Sequence, residues 1–376
     1  MNEIQRLIHE MCPNGVPMVA LGEVCSDIFS GATPSTNKEE YWENGVIPWM
    51  SSGEVHQGTV SFVEKKITKL GYDSCSTKMV PIGSVVVALA GQGKTRGTVA
   101  RTRTELCTNQ SLCSIIGNPQ IINNDFIYYY LSSQYQQLRT VSSGDGTRGG
   151  LNLKMINSYK IPLPPLPIQQ RIVEILDKFT SLVSSLDSEI ALRQKQYEYY
   201  RNKLLSFEEG VKMVALSDVC EIKNGKDYKH LSSGIIPVWG TGGIMTYVDQ
   251  YAYNGPSVLL PRKGSIDKVY YSEGPVWTVD TLFYTIIKES IIYPKFLYHT
   301  ISIQDLRALD TSKGNRPSLT QTVLNKILIP LPPLNRQLSI VRTLDTFESL
   351  LTNLKKEREL RQKQYEYYRE KLLTFA

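Results

Sequence analysis

No apolar run in this 376-residue chain approaches the 18 or so residues of a membrane span. Its opening MNEIQRLIHE is too polar for a signal peptide, so the expectation is a cytoplasmic chain with no membrane partner. The six cysteines (Cys12, Cys25, Cys75, Cys107, Cys113, Cys220) form no CxxC pair and have no histidine at ligand spacing, which indicates neither a zinc site nor a disulfide framework. Reduced, packed thiols are the expectation. The four histidines are scattered, with no repeated acid partner. Net charge is only +6, and no segment concentrates it. Residues 1–160 carry 14 basic against 13 acidic side chains, 161–210 six against seven, 211–328 13 against 10, and 329–376 nine against six. A nucleic-acid partner would therefore be held by local basic patches, not by a blanket field. GQGKT invites a nucleotide-binding reading, but a P-loop needs glycine five residues before Gly93 and Ala88 stands there.

What is present is a repeat. LRQKQYEYYRNKLL at Leu192–Leu205 returns as LRQKQYEYYREKLL at Leu360–Leu373, differing only at Asn202 and Glu370. The same displacement of 168 residues superimposes IPLPPL at Ile161–Leu166 on IPLPPL at Ile329–Leu334. Alternate steps of four and three from Ile172 meet Leu176, Phe179, Val183, Leu186, Ile190, Arg193, Tyr197, Tyr200 and Leu204. From Ile340 they meet Leu344, Phe347, Leu351, Leu354, Arg358, Arg361, Tyr365, Tyr368 and Leu372. This is the seam of a coiled coil, and two such stripes in one chain most simply bury each other. The prolines mark a stiff lead-in before each helix. From Ile172 to Leu205 the rod would measure about 50 Å at about 1.5 Å per residue.

The segments between the helices are related more distantly. MVALGEVC (Met18–Cys25) matches MVALSDVC (Met213–Cys220), and GTRGGLN (Gly146–Asn152) matches GNRPSLT (Gly314–Thr320). These displacements are 195 and 168, so the first domain carries 27 more residues in its middle. Ile4–Met11 reads as the last turns of the second long helix placed at the other end of the chain. The expected fold class is α+β: two β-rich domains joined by two long antiparallel coiled-coil helices, pseudo-twofold and circular in organisation. The expected divisions are residues 1–160 (with 1–14 a short helix completing the helical region), 161–206, 207–328 and 329–376. β-Branched and aromatic runs at Ser84–Leu89, Leu112–Ile116, Ser257–Leu260, Lys268–Tyr271 and Leu282–Ile287 read as strands. Asn124–Leu138 and Pro294–Leu306 have helical spacing.

Several residues suit a DNA partner. Lys94, Arg96, Arg101 and Arg103 place four positive charges in KTRGTVARTR, beside glycines that let backbone approach phosphate; a solvated basic hairpin is the other reading. Lys226, Tyr228 and Lys229 in GKDYK, with Arg262 and Lys263 in PRKGS, form the comparable group of the second domain. Arg148 and Arg316 occupy equivalent loops leading into a short helix, where a phosphate would meet both guanidinium and helix N-terminus. Trp49, Trp239 and Trp277 suit either base contact or core packing. Tyr199 and Tyr367 fall off the seam beside Arg201 and Arg369 and suit a partner surface, since Tyr and Arg are favoured in interfaces. Arg193 and Arg361 sit on the seam, where they either snorkel or fix register through a paired acid.

The alternation of a variable domain with a near-identical long helix carries a resemblance. So do the IPLPPL lead-in followed by Gln170 and Ile172 or Gln337 and Ile340, and the phrases GATPSTNKEEYWENGVIPWMSSGEV and GIIPVWGTGGIMTYVDQY. Together, over the full chain, they resemble the DNA-specificity subunit of type I restriction-modification systems. The resemblance implies two target-recognition domains, each reading one half of a split sequence in double-stranded DNA. It implies helices that set the spacing and dock two methyltransferase subunits, and restriction subunits in the same complex. S-adenosylmethionine, ATP and magnesium would then sit on partner subunits, with no cofactor and no metal in this chain.

Nothing catalytic is legible. Asn118-Pro119 is followed by Gln120 and Ile121, not by the second proline and aromatic of an amino-methyltransferase tetrapeptide. Glu221 and Lys223 make half of a nuclease pattern, but Asp218 lies only three residues from Glu221. A recognition subunit for a fused nuclease-methyltransferase outside type I, or a stand-alone DNA-binding regulator, would need no different residues. A structural scaffold and an enzyme with an unrecognised site are the readings of another class; salt-dependent DNA binding would exclude the scaffold.

Overall fold

The computed structural model describes residues 3–91, 94–142, 150–207, 210–310, 312 and 317–375. It divides into two compact units, residues 1–186 with 357–376 and residues 187–356. Each unit holds one β-rich domain and a stretch of each long helix, so the class is α+β.

In the first unit a five-stranded sheet runs in the order Cys25–Ser30, Leu112–Gly117, Val85–Ala88, Val99–Thr102, Thr59–Val60. The central strand VVVA is buried on both faces, which a continuous β-branched run requires. A four-stranded sheet of short strands (Lys66–Ile67, Ile47–Met50, Leu106–Thr108, Met79–Val80) occupies the part of the domain that is longer than its counterpart. Met18–Ala20 pairs antiparallel with Lys160–Pro162 at the neck, Val19 opposite Ile161. The short helix Glu3–Met11 buries Ile4 in the same cluster as Phe126, Ile168, Ile172, Leu372 and Leu373.

The second unit repeats the plan. Cys220–Asn224, Leu282–Ile287, Ser257–Pro261 and Tyr270–Ser272 form one four-stranded sheet. Gly243–Val248, Ser233–Gly240, Pro275–Thr278 and Tyr253–Asn254 form another. Met213–Ala215 pairs with Leu328–Pro330, Val214 opposite Ile329, in the same register as the first neck. Register also makes Arg101 and Tyr271 counterparts, because Arg101 lies opposite Val85 and Tyr271 opposite Val258. The expected strand at Lys268–Tyr271 begins only at Tyr270.

The expected helix Asn124–Leu138 is two helices, Asn124–Ser133 and Tyr135–Val141. They join at Gln134, whose backbone leaves the helical region and whose N–H is shared between the carbonyls of Tyr130 and Leu131. Pro294–Ser302 likewise ends before a separate turn at Leu306–Leu309.

The long helices are Leu166–Leu205 and Leu334–Leu373, 40 residues each, or about 60 Å at the usual rise. Each starts directly after its prolines. Within the second unit the two stretches run antiparallel: Arg336 lies over the Phe207 ring, Phe347 stacks on Tyr200, and Glu348 accepts a hydrogen bond from Tyr197 at 2.7 Å. The stack recurs 168 residues displaced in the first unit. Phe179 and Tyr368 lie 5.2 Å apart at 19°, against 5.4 Å and 21° for Tyr200 and Phe347.

One glutamine per unit ties domain to helix. Fully buried Gln169 accepts from the Asn123 N–H at 2.8 Å and donates to the carbonyls of Pro164 (2.7 Å) and Ile121 (3.2 Å). Gln337 accepts from the Tyr293 N–H at 2.8 Å and donates to Pro332 (2.8 Å) and Ile291 (3.4 Å). The matched glutamines are therefore Gln169 and Gln337; Gln170, singled out from the sequence, bonds only the Asn123 side chain on the surface. Each satisfies otherwise unpaired backbone groups where a proline-rich turn leaves them.

Candidate nucleic-acid interface and the outer face of the helical repeat

The basic stretch KTRGTVARTR does not form one surface. Lys94 is exposed at the tip, but Arg96 is buried. Arg101 faces inward from its strand with a side chain only 10% exposed, donating to Asp177 at 2.7 Å, Asp125 at 3.1 Å and Thr59 at 3.1 Å. Arg103 closes on both carboxylate oxygens of Asp125 at 2.8 and 3.0 Å. Arg101 and Arg103 are thus committed to internal carboxylates, which corrects the expectation that they face DNA. Arg101 lies in the strand and Arg103 in the bend just past it, and both turn toward Asp125.

In the second domain Lys226, Lys229 and Lys263 are exposed. Tyr228 is half-buried against Val238, Val248 and Trp277. Arg262 is half-buried over the Phe283 ring, its Nη1 donating to the Asp280 carbonyl at 3.4 Å. Arg148 and Arg316 lie outside the described residues. Their flanks are nevertheless placed alike: the Leu151 N–H bonds the Leu89 carbonyl, and the Leu319 N–H bonds the Arg262 carbonyl, both at 2.9 Å. Each domain therefore brings the residue just past a sheet strand, Leu89 or Arg262, beside the chain at Leu151 or Leu319. Lys263 stands exposed at that junction, bridged to Ser318, while Lys94 is exposed five residues past Leu89, its carbonyl accepting from Tyr135 at 2.9 Å.

Trp49 and Trp277 are buried, each indole donating to a backbone carbonyl at 3.0 Å (Ala32 and Lys226), and Trp239 is half-buried against Tyr270. Core packing is their role. A cleft of about 420 Å³ lined by Thr36, Trp42, Lys65 and Lys66 had gone unmarked in the sequence. The adjacent lysines in VEKKI were its one visible signal; Trp42 is held there by its indole N–H bond to the Ser35 carbonyl at 3.1 Å and its edge-to-face contact with Trp49 at 5.1 Å.

Outside the seam the repeat offers the same face twice. Tyr199 and Tyr367 are 59% and 56% exposed, and Leu192 and Leu360, seven residues earlier and unmarked in the sequence, are 64% and 61% exposed. Residues seven apart share a helix face. Arg201 and Arg369 do not join that face: each is half-buried with its guanidinium over a seam ring, Tyr197 at 5.6 Å and Tyr365 at 5.5 Å. Arg193 and Arg361 bond the acid four residues earlier on their own helix, Glu189 and Glu357, each at 2.7 Å. That pairing holds rotamers and sets no register between helices.

Burial pushes the thiols of Cys25, Cys107, Cys113 and Cys220 up to about 12, as packed cysteines require. Among the described residues no helix is long and apolar enough to cross a membrane.

A family model described as type I restriction modification DNA specificity domain matches residues 13–192 and again 208–362. The chain belongs to this family. Specificity subunits are the non-catalytic, DNA-recognising components of their systems. The EcoR124I/EcoR124II specificity subunit of Escherichia coli is 38% identical over half of this chain, and the match spans 47% of that relative's length. The putative specificity subunit S.HindORF215P of Haemophilus influenzae is 32% identical over 70% of this chain and 75% of its own. The S subunit of the type I restriction-modification system from M. genitalium shares the fold, with a TM-score of 0.68 at 19% identity over 96% of this chain and 97% of that one.

Proposed function

We propose that this specificity subunit reads an asymmetric, bipartite target in double-stranded DNA, one half per domain. On this reading it recruits two adenine methyltransferase subunits and a motor-nuclease subunit. The observation that carries the reading is the doubled neck-and-helix scaffold bearing two unlike domains. A scaffold repeated at 168-residue displacement supports two equivalent docking faces, while different loops support two different half-sites. Lys94 with the loop of Arg148, and Lys263 with the loop of Arg316, supply phosphate contacts that position each domain; neighbouring side chains read base edges in the major groove. Lys65, Lys66 and Trp42 join the first domain's set. The outward pairs Leu192 with Tyr199 and Leu360 with Tyr367 suit a partner surface, an aromatic anchor with aliphatic support. S-adenosylmethionine, ATP and magnesium belong to the partners' chemistry, with methylation of a flipped adenine in each half-site.

The test is to coexpress the chain with the methyltransferase encoded beside it and map methylated adenines by single-molecule sequencing. A split, asymmetric motif that vanishes when the chain is deleted is the expected result. Unchanged methylation, with the proteins failing to copurify, would leave a stand-alone DNA-binding protein.

A further inference from the structure

The polar contacts beneath the two domains occupy matching places with different residues. In the first unit the inner oxygen of Asp177, Oδ1, accepts from Arg101 at 2.7 Å and from the Tyr129 hydroxyl at 2.6 Å. Thr180, one turn on, lies 3.2 Å from the same hydroxyl. In the second unit the corresponding acid is Asp345, displaced by 168. Register puts Tyr271 where Arg101 stands. Counting from the backbone amides held by the two glutamines puts His299 where Tyr129 stands, and Glu348 replaces Thr180. The second unit has thus lost a guanidinium facing that oxygen and gained a carboxylate.

Three ligand-type side chains converge as a result. His299 is 2% exposed. Its Nε2 lies 3.9 Å from Asp345 Oδ1, and its Nδ1 lies 4.0 Å from Glu348 Oε1. Both His299 Nε2 and Asp345 Oδ1 are buried and make no hydrogen bond, an arrangement that costs free energy unless something satisfies them. One donor atom from each of the three residues lies within 4.8 Å of the others. Lys295 takes the far oxygen of Asp345, Oδ2, at 3.0 Å, and the Tyr197 hydroxyl fixes Glu348 at 2.7 Å, so both acids are oriented by neighbours as metal-binding carboxylates are.

We infer that His299, Asp345 and Glu348 form a structural site for a divalent transition cation, zinc being the best fit to one imidazole and two carboxylates. The cation restores, against Asp345 Oδ1, the positive charge that Arg101 supplies to Asp177 in the first unit. Metal bonds of about 2.0–2.2 Å require the three donors to draw closer than 4.8 Å, a shift within reach of rotations of Glu348 and Asp345, both partly exposed. The metal would pin the helix Pro294–Ser302 to the second long helix inside that unit.

The test uses the full chain stripped with chelator, then titrated with Co²⁺ for its visible absorption and with Zn²⁺ by calorimetry, beside H299Q and E348Q confirmed as folded by circular dichroism. One tight equivalent per chain is expected. Affinity should fall at least about tenfold in each variant, and Zn²⁺ should raise Tm only in the parent. A parent that takes up neither ion stoichiometrically, or an H299Q chain that binds like the parent, overturns the inference.

Discussion

The two domain-to-helix junctions share a frame and differ in charge. Both use a buried glutamine with the same three backbone partners, Gln169 or Gln337, and both close a two-stranded neck in one register. Between those fixed points the first junction is built on Arg101, Arg103, Asp125 and Asp177, while the second sets Lys295 where Asp125 stands and His299 where Tyr129 stands. The difference teaches that apolar burial and backbone satisfaction hold the architecture. Ion pairs at the same places are free to invert, because a buried pair contributes little net stability once desolvation is counted.

The largest effect expected from breaking this comparison is at Arg101. R101M leaves Asp177 without its cation and Asp125 with Arg103 alone, and should cost about 3–5 kcal/mol in chemical denaturation of the first unit. L176A and L344A remove equivalent fully buried side chains, one per unit, and should cost about 2–5 kcal/mol each; a large inequality would show that the two cores are not equivalent. Q169A and Q337A strip partners from buried backbone groups, and each should cost about 1–3 kcal/mol, by similar amounts. In chelator, H299L replaces a buried imidazole that makes no hydrogen bond through Nε2 and should leave stability unchanged or raise it by about 1 kcal/mol; Y129L, at the matching place, should instead lower it. The smallest stability effect is at the outer face, where Y199A and Y367A should stay within about 0.5 kcal/mol of the parent and yet reduce methyltransferase copurification.

The repeat, the lead-in prolines and most strands were legible in the sequence, because long-period identity and β-branched runs are local signals. The partners of single charges were not. Arg101 in a glycine-flanked basic stretch looks the same whether it meets phosphate or Asp177, which lies 76 residues later. Lys94 and Arg101 separate only once strand alternation is fixed in space. Gln169 carries no visible mark of its role, since its three backbone partners come from Asn123, Ile121 and Pro164. The histidine at 299 stood isolated in the sequence because its acids are 46 and 49 residues away, on another helix. Leu192 and Leu360 read as ordinary helix formers; only their exposure distinguishes them.

The two-stranded necks make each domain an insert that leaves and rejoins its support at one point. Val19 faces Ile161 and Val214 faces Ile329 in matching ladders, although 27 more residues lie within the first loop than the second. Length differences between those strands are absorbed inside the domain and never reach the helices. A gene encoding this chain could therefore exchange one whole insert for another of different size, joined at the MVAL and IPLPPL codons, and acquire a different domain surface without redesigning its support.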